Sequence, residues 1–273
     1  MKVCSRYYKD KLNFMKKVDE IMFKHDSRND ALEEFFEQYK DKRLICYVDD
    51  ENYFEFFDKY LDIYYGYILK YEIDFALMFD SLNFYEEDNF NILREKKIKF
   101  FFDTHVDTID KMWVLIQAGV SDMYITDGLG FSLEQIAPIL HDKGITIRVF
   151  PNVCQGYQVG RYEDTLKSFF IRPEDLRIYE PYVDVYEFYG TRENIEWFYS
   201  IYMEDKKWFG NLEEMLIGYK GHFNNRGSSS VFGYQRSKCQ QKCKYGKPCK
   251  SCEKLKELAE VMDKNKIAIL ENK

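Results

Sequence analysis

No stretch of this 273-residue chain approaches the run of about 18 uninterrupted apolar residues that a transmembrane helix needs. Its opening, MKVCSRYYKDKLNFMKK, is polar and broken by lysines, without the charged n-region and apolar core of a signal peptide. The two absences together predict a cytoplasmic, reducing setting with no membrane partner. Histidine is scarce, four in all, which excludes the multi-histidine binuclear centre of an amidohydrolase. No nucleophile elbow is present, and no glycine-rich phosphate loop follows the first strand candidate. Seven cysteines, an odd number, make a disulfide framework a poor fit.

Aromatic residues are plentiful: 23 Tyr and 23 Phe in a 33.0 kDa chain that is 45% hydrophobic can bury a large core. A net charge of -7 argues against a nucleic-acid footprint over the whole molecule. One segment runs the other way. Between Arg226 and Lys256 nine lysines and arginines face a single acid, Glu253, so any contact with RNA belongs there. The plainer reading is that these lysines solvate a small module and offset its thiolates.

That module is the run KCQQKCKYGKPCKSC, which places Cys239, Cys243, Cys249 and Cys252 within about 14 residues, a metal-ligand spacing. Gly246 and Pro248 favour a tight turn ahead of the last Cys-x-x-Cys pair, as in a zinc knuckle. Zinc is the first expectation, an iron-sulfur cluster the alternative, and unliganded thiols the plain reading. The segment is too polar to fold unaided, so metal would hold it together.

From residue 43 to about 200, short β-branched or aromatic runs alternate with amphipathic ones, the pattern of β/α units. The strand candidates are Arg43-Val48, Ile73-Phe79, Ile98-Asp103, Asp122-Thr126, Ile145-Phe150, Ser168-Arg172 and Val183-Phe188. Most are apolar throughout, as parallel strands covered on both faces must be. Helix candidates lie between them, with a capping box at Ser132 and Gln135 and helix-ending glycines at Gly119 and Gly144. The expected fold is α/β, a TIM-like (β/α) barrel over residues 43–220, either incomplete or with its eighth strand near Glu214-Tyr219. Residues 1–42 read as an N-terminal helical segment outside it, with Phe14, Val18, Met22, Leu32, Phe35 and Phe36 at helical spacing. Residues 221–273 hold a Gly/Ser-rich linker, the four-cysteine module and a C-terminal helix.

In such a barrel the reacting groups stand at the C-terminal ends of strands. Here those positions are Asp49, Asp50, Asp80, Asp103 with His105, Asp127, Asn152, Arg172 and Glu187, an acidic ring. The candidate catalytic residues are Asp103, His105, Asp127, Asn152, Arg172 and Glu187, expected to converge on one concave face. Several have an alternative. In FFFDTHVDTID, Asp103, His105 and Asp107 read as metal ligands, or His105 as a general base held by a carboxylate, or His105 as a helix-capping or satisfied loop residue. Asp127 precedes Gly128 and Gly130, a turn that lets backbone approach a ligand, yet it also suits a helix cap. Arg172 is a carboxylate or phosphate clamp, or else the partner of Glu187 or Asp175. Cys154 is a nucleophile candidate without an evident histidine, or a small buried hydrophobe.

Two blocks carry a resemblance. AGVSDMYITDGLGFSLEQIAPILHDKGITIRVFPN resembles the peptidase family U-32, the collagenase-like peptidases, in its strand, helix, turn and Asn-ended strand. DVYEFYGTRENIEWFYSIY is similar to the family's last barrel element, with Glu187, Gly190 and Arg192 nearest its Glu-Gly-Arg motif. The likeness covers about residues 98 to 205. It implies a TIM-like barrel related to RNA-base and quinone hydroxylases, several of which hold an iron-sulfur cluster through four cysteines. In the family those cysteines are spread through the later barrel, whereas here only Cys154 lies near that region. The resulting expectation is a barrel enzyme that modifies RNA or another planar substrate. The alternatives are a non-catalytic scaffold whose zinc module docks a protein or nucleic acid, and a peptidase.

Overall fold

The computed structural model describes residues 2–26, 31–80, 86–153, 169–204 and 216–217, with Asp127 and Gly128 described by backbone alone. Among the described residues nine strands form one sheet: β1 (Lys2–Arg6), β2 (Glu20–Lys24), β3 (Arg43–Val48), β4 (Phe75–Phe79), β5 (Lys99–Phe102), β6 (His105–Val106), β7 (Asp122–Ile125), β8 (Thr146–Val149) and β9 (Val185–Glu187). Around them run α1 (Leu12–Met15), α2 (Leu32–Gln38), α3 (Tyr53–Glu55), a π-helical turn (Phe56–Tyr60), α4 (Leu61–Tyr71), α5 (Glu87–Glu95), α6 (Ile109–Ala118), α7 (Asp127–Gly130), α8 (Leu133–Asp142), a 3-10 turn (Pro173–Asp175), α9 (Leu176–Tyr179) and α10 (Ile195–Met203).

Every strand pair is parallel, in the order β5-β4-β3-β2-β1-β9-β8-β7-β6. The two ends of that order, β5 and β6, are successive pieces of chain separated only by Asp103 and Thr104. The sheet therefore curls round on itself. At the seam Asp103 N donates to Phe79 O on β4 (2.8 Å), while Ser121 N, just before β7, donates to Phe100 O on β5 (2.8 Å). The result is the TIM-like, all-parallel α/β barrel that the strand pattern implies.

The barrel starts earlier than the sequence indicates. Residues 1–42 were expected to lie outside it as helices, but β1 and β2 sit at the centre of the strand order. The first and last of the nine described strands meet there, with Cys4 opposite Glu187. The reason is that both runs are buried on both faces, and a short apolar run does not reveal its period. Phe14, Val18 and Met22 belong to a short helix, a loop and a strand rather than to one helical stripe. Ser168-Arg172 also departs from expectation. Phe170–Arg172 form no strand, and Arg172 leads through Pro173 into the 3-10 turn, since a residue before proline is steered out of the α region. Most of the eighth-strand candidate at Glu214-Tyr219 lies outside the described residues, although Ile217 makes a single parallel bridge to Val153.

Gly119 and Gly144 end α6 and α8 with φ of 77° and 70°, the left-handed backbone glycine adopts without strain. Ser132 precedes α8 but its side chain makes no cap hydrogen bond, so the capping box does not form. The outer layer is aromatic. Phe90 of α5 packs on Phe79, Phe100 and Phe102, with centroids 5.5, 4.7 and 5.8 Å away, and each such side chain removed from water contributes roughly 1.5–3 kcal/mol. Among the described residues no helix is long and apolar enough to cross a membrane.

Candidate active site at the C-terminal mouth of the barrel

Side chains alternate along each strand, so every second residue points into the barrel. The inward residues at the N-terminal end are Glu20, Arg43, Asp122 and, one step deeper, Arg148, all buried. Arg43 Nη1 and Nη2 donate to the two oxygens of Asp122 at 2.8 and 2.7 Å, Arg148 Nε donates to Asp122 at 2.8 Å, and Arg148 Nη2 reaches Glu20. Burial alone would raise the Asp122 carboxyl, but Arg148 and Arg43 override it and hold the group at about 2. This end is sealed by paired charge.

Above the seal lies Tyr124 of β7, fully buried, whose hydroxyl donates to Glu187 at 2.7 Å. Burial pushes the Glu187 carboxyl above the usual range despite Arg148 and the Tyr124 hydrogen bond, which pull it down. The Tyr124 ring lies 4.8 Å from Phe150 at 12°, and His105 stacks on the same pair at 6.4 and 5.9 Å. Those three near-parallel rings stand at the seam where β5 gives way to β6.

The mouth itself opens into a cavity of about 450 Å³ lined by Arg6, Tyr7, Met22, Phe23, Lys24, Asp26, Phe35, Tyr47, Met78 and Asp103. That is room for a small planar molecule. Asp103 follows β5 and faces this space; burial raises its carboxyl, with Asp80 adding to the shift and His105 and Arg6 opposing it. His105 is shifted the other way, its imidazolium disfavoured by desolvation although Asp103 pulls it back. A carboxyl whose proton affinity is raised therefore neighbours an imidazole whose proton affinity is lowered, a pairing open to general acid–base chemistry.

The sequence candidates divide in two. His105 and Glu187 meet Tyr124, and Asp103 neighbours His105. Asn152 is fully buried and serves as a brace, its Nδ2 donating to Tyr189 O at 2.6 Å and its Oδ1 accepting from Tyr189 N at 3.0 Å. Arg172 is also fully buried and is held by Asp175, with Nε and Nη2 donating at 2.5 and 2.8 Å, so the Asp175 alternative is the one the geometry bears out. Asp127 opens α7, and the neighbouring Gly130 leaves space for Phe169, whose ring atoms would lie 2.5–2.7 Å from an added Cβ. That glycine admits a side chain rather than a ligand. The acids on the far side are engaged as well: Asp49 pairs with Lys24 at 2.6 Å, and Asp80 accepts from Tyr47 and from Asp50 N at 3.3 Å.

Asp107 pairs with Lys111 at 2.8 Å, and among the described residues no three His, Cys, Asp or Glu side chains gather as a metal site, which corrects the reading of Asp103, His105 and Asp107 as metal ligands. Thr108, not His105, caps α6, accepting from Lys111 N at 3.3 Å. Arg192, near the Glu-Gly-Arg motif, is an exposed partner of Asp10 at 2.5 Å. His25 proves to follow β2 directly, yet it is turned outward among Phe56, Tyr60 and Tyr64 with Nδ1 3.0 Å from the Tyr64 hydroxyl. Arg6, Lys24 and Tyr47 are mouth residues the sequence reading missed, the first two because β1 and β2 were taken for helices. Their signal was present: each run is five residues long, too short for a stable helix, and stands ahead of β3 at a strand-like interval. Cys154, Cys239, Cys243, Cys249, Cys252 and the basic segment 226–256 lie outside the described residues.

No family model matches the chain. Over 117 residues, 40% of this chain, it is 32% identical to a protein named as an uncharacterized protease of Methanocaldococcus jannaschii. The match takes in 33% of that relative, so the chain spans about a third of its length. It is consistent with the U-32 resemblance over a segment of the chain. Among solved structures, a ligand-bound open form of tryptophan synthase from M. tuberculosis is 9% identical with a TM-score of 0.44, covering 68% of this chain and 82% of that one. A ligand-free mutant form of the same enzyme has 10% identity and a TM-score of 0.40 over the same shares.

Proposed function

We propose that this chain is a U-32-like barrel enzyme that carries out general acid–base chemistry on a planar substrate at the C-terminal mouth. One observation supports the reading above others: Asp103, which lines the cavity, neighbours His105, which stacks on the rings of Tyr124 and Phe150, and the two have opposed shifts in proton affinity. In this scheme the Asp103 carboxyl, whose proton affinity burial raises, and the His105 imidazole exchange protons with the substrate, and Glu187 adjusts the site through Tyr124. A flat substrate ring would extend the stack beyond His105.

The substrate favoured by the U-32 resemblance is an RNA base, with residues 226–256 gripping the backbone electrostatically; its hydroxylation is a two-electron oxidation that needs an added oxygen donor and oxidant, and Asp103 and His105 would contribute only its proton transfers. Nucleoside mass spectrometry of RNA incubated with the full chain tests this, and a product lost in Asp103→Asn and His105→Asn is expected. Absence of any modified nucleoside, at low salt and with metal retained, would overturn it. A second reading, peptide hydrolysis, draws on the name of the Methanocaldococcus jannaschii relative. It is tested by the same variants against an unstructured peptide library, and cleavage that survives both substitutions would place the activity elsewhere.

The four clustered cysteines belong to the proposal as ligands of one metal centre, zinc or alternatively an iron-sulfur cluster. Protein purified without oxygen should contain stoichiometric zinc, or iron with sulfide, and lose it in Cys249→Ser. Full metal content in each single Cys→Ser variant would sink the assignment.

A further inference from the structure

The mouth contains two basic side chains in different states. Lys24 is committed to Asp49 at 2.6 Å. Arg6, the last residue of β1, is exposed, and among the described residues no ion pair joins it to a carboxylate. It rests against the ring of Tyr189, 5.7 Å from its centroid. A guanidinium lying against an aromatic ring is steadied on its face and keeps the N–H groups along its edge free, the part that meets an oxyanion in two parallel hydrogen bonds. Arg6 also lines the same cavity as Asp103. Asp49 is taken by Lys24 and Asn52, and Asp80 by Tyr47 and the backbone of Asp50, while Asp103 and Glu187 act on Arg6 through space, with no hydrogen bond or ion pair to it among the described residues.

We infer that Arg6 is the recognition residue for a substrate bearing an oxyanion, a phosphate or carboxylate, on a flat ring, the ring lying in the cavity while the anion meets the guanidinium edge. The inference rests on the mouth being the binding site, as proposed above, and adds the charge of what enters it. The planar body then comes within reach of Asp103 with the anion fixed at one end. Orientation follows from two-point contact, since a neutral ring alone would be free to rotate in its plane.

Phenyl phosphate and benzoate are the probes, each titrated calorimetrically into the full, metal-retaining chain. Binding by either supports the inference, and the stronger of the two identifies the oxyanion as phosphate or carboxylate. Arg6→Ala should weaken that binding about tenfold or more, and Arg6→Lys should fall between, because it keeps the charge but not the fork. Arg6 is exposed, so both variants should unfold at the temperature of the parent, and thermal denaturation checks this. A second measurement uses phenylglyoxal, which modifies accessible arginines: the better probe should slow adduct formation at Arg6 and leave the rate at Arg192, paired with Asp10 elsewhere, unchanged. Asp103→Asn separates the two ideas, because it should abolish turnover while anion binding persists. No binding of either probe, or equal affinity in Arg6→Ala, would overturn the inference even if the acid–base reading held.

Discussion

Arg43 on β3 and Asp122 on β7 meet across the inside of the barrel through two parallel hydrogen bonds of 2.8 and 2.7 Å. The strands are far apart in the sheet order, so this pair spans the interior rather than following a ladder. Together with Arg148 and Glu20 it closes the end opposite the candidate site, and its stability should be separable from the chemistry.

Removing one partner of a buried, hydrogen-bonded pair leaves charge without compensation, at a cost of about 3–5 kcal/mol. Asp122→Asn should destabilise by that amount in urea denaturation. Asp122 titrates at about 2 in the folded chain against an ordinary 3.8, so its contribution is complete above the ordinary value and is lost as pH falls through it towards about 2. The parent should lose stability over that interval, and the variant should show a shallower loss there.

Glu187 presents the opposite sign. Its carboxyl is raised by burial, so the folded chain holds that proton more tightly than the unfolded one, and stability declines as pH rises from the ordinary carboxylate value through the folded one. Glu187→Gln should therefore be the more stable of the two at pH 7, with the difference shrinking as pH falls through the ordinary carboxylate value, while activity falls. Equal stability of parent and variant at pH 7 would contradict it.

His105 should titrate by NMR below an ordinary imidazole because desolvation disfavours its charged form. Asp103 opposes that shift, so Asp103→Asn should lower the midpoint further. A midpoint that rises in the variant would mean that the two side chains do not sense one another.

Gly130 lies against the ring of Phe169, and an added methyl would approach it to 2.5 Å. Gly130→Ala should cost about 1–3 kcal/mol by overpacking, and Phe169→Leu in the same chain should recover part of it. Additive losses in the double variant would show that the two do not share the space.

Much of the barrel was legible because β3 to β5 and β7 to β9 are apolar runs separated by amphipathic ones, and Arg43–Val48 was read to the residue. β1 and β2 were hidden by burial on both faces and by charged ends that break the pattern, and with them went Arg6 and Lys24. The site reading recovered Asp103, His105 and Glu187 by their place at strand ends. It also took in Asn152 and Arg172, since a buried brace and a catalytic group use the same residue types and differ only in whether their partners are already present. No spacing rule supplies that difference.

The adjacency of β1 and β9, with Cys4 opposite Glu187, carries a consequence for the order of synthesis. Of the nine described strands β1, which ends at Arg6, is made first, and β9, which covers its neighbour, is made last. Until residues 185–187 emerge, the edge of β1 has no partner on one side and its backbone groups are open to other strands. The mouth therefore cannot exist on a partial chain, and ability to bind at Arg6 would report that the final strand has found its place beside the first.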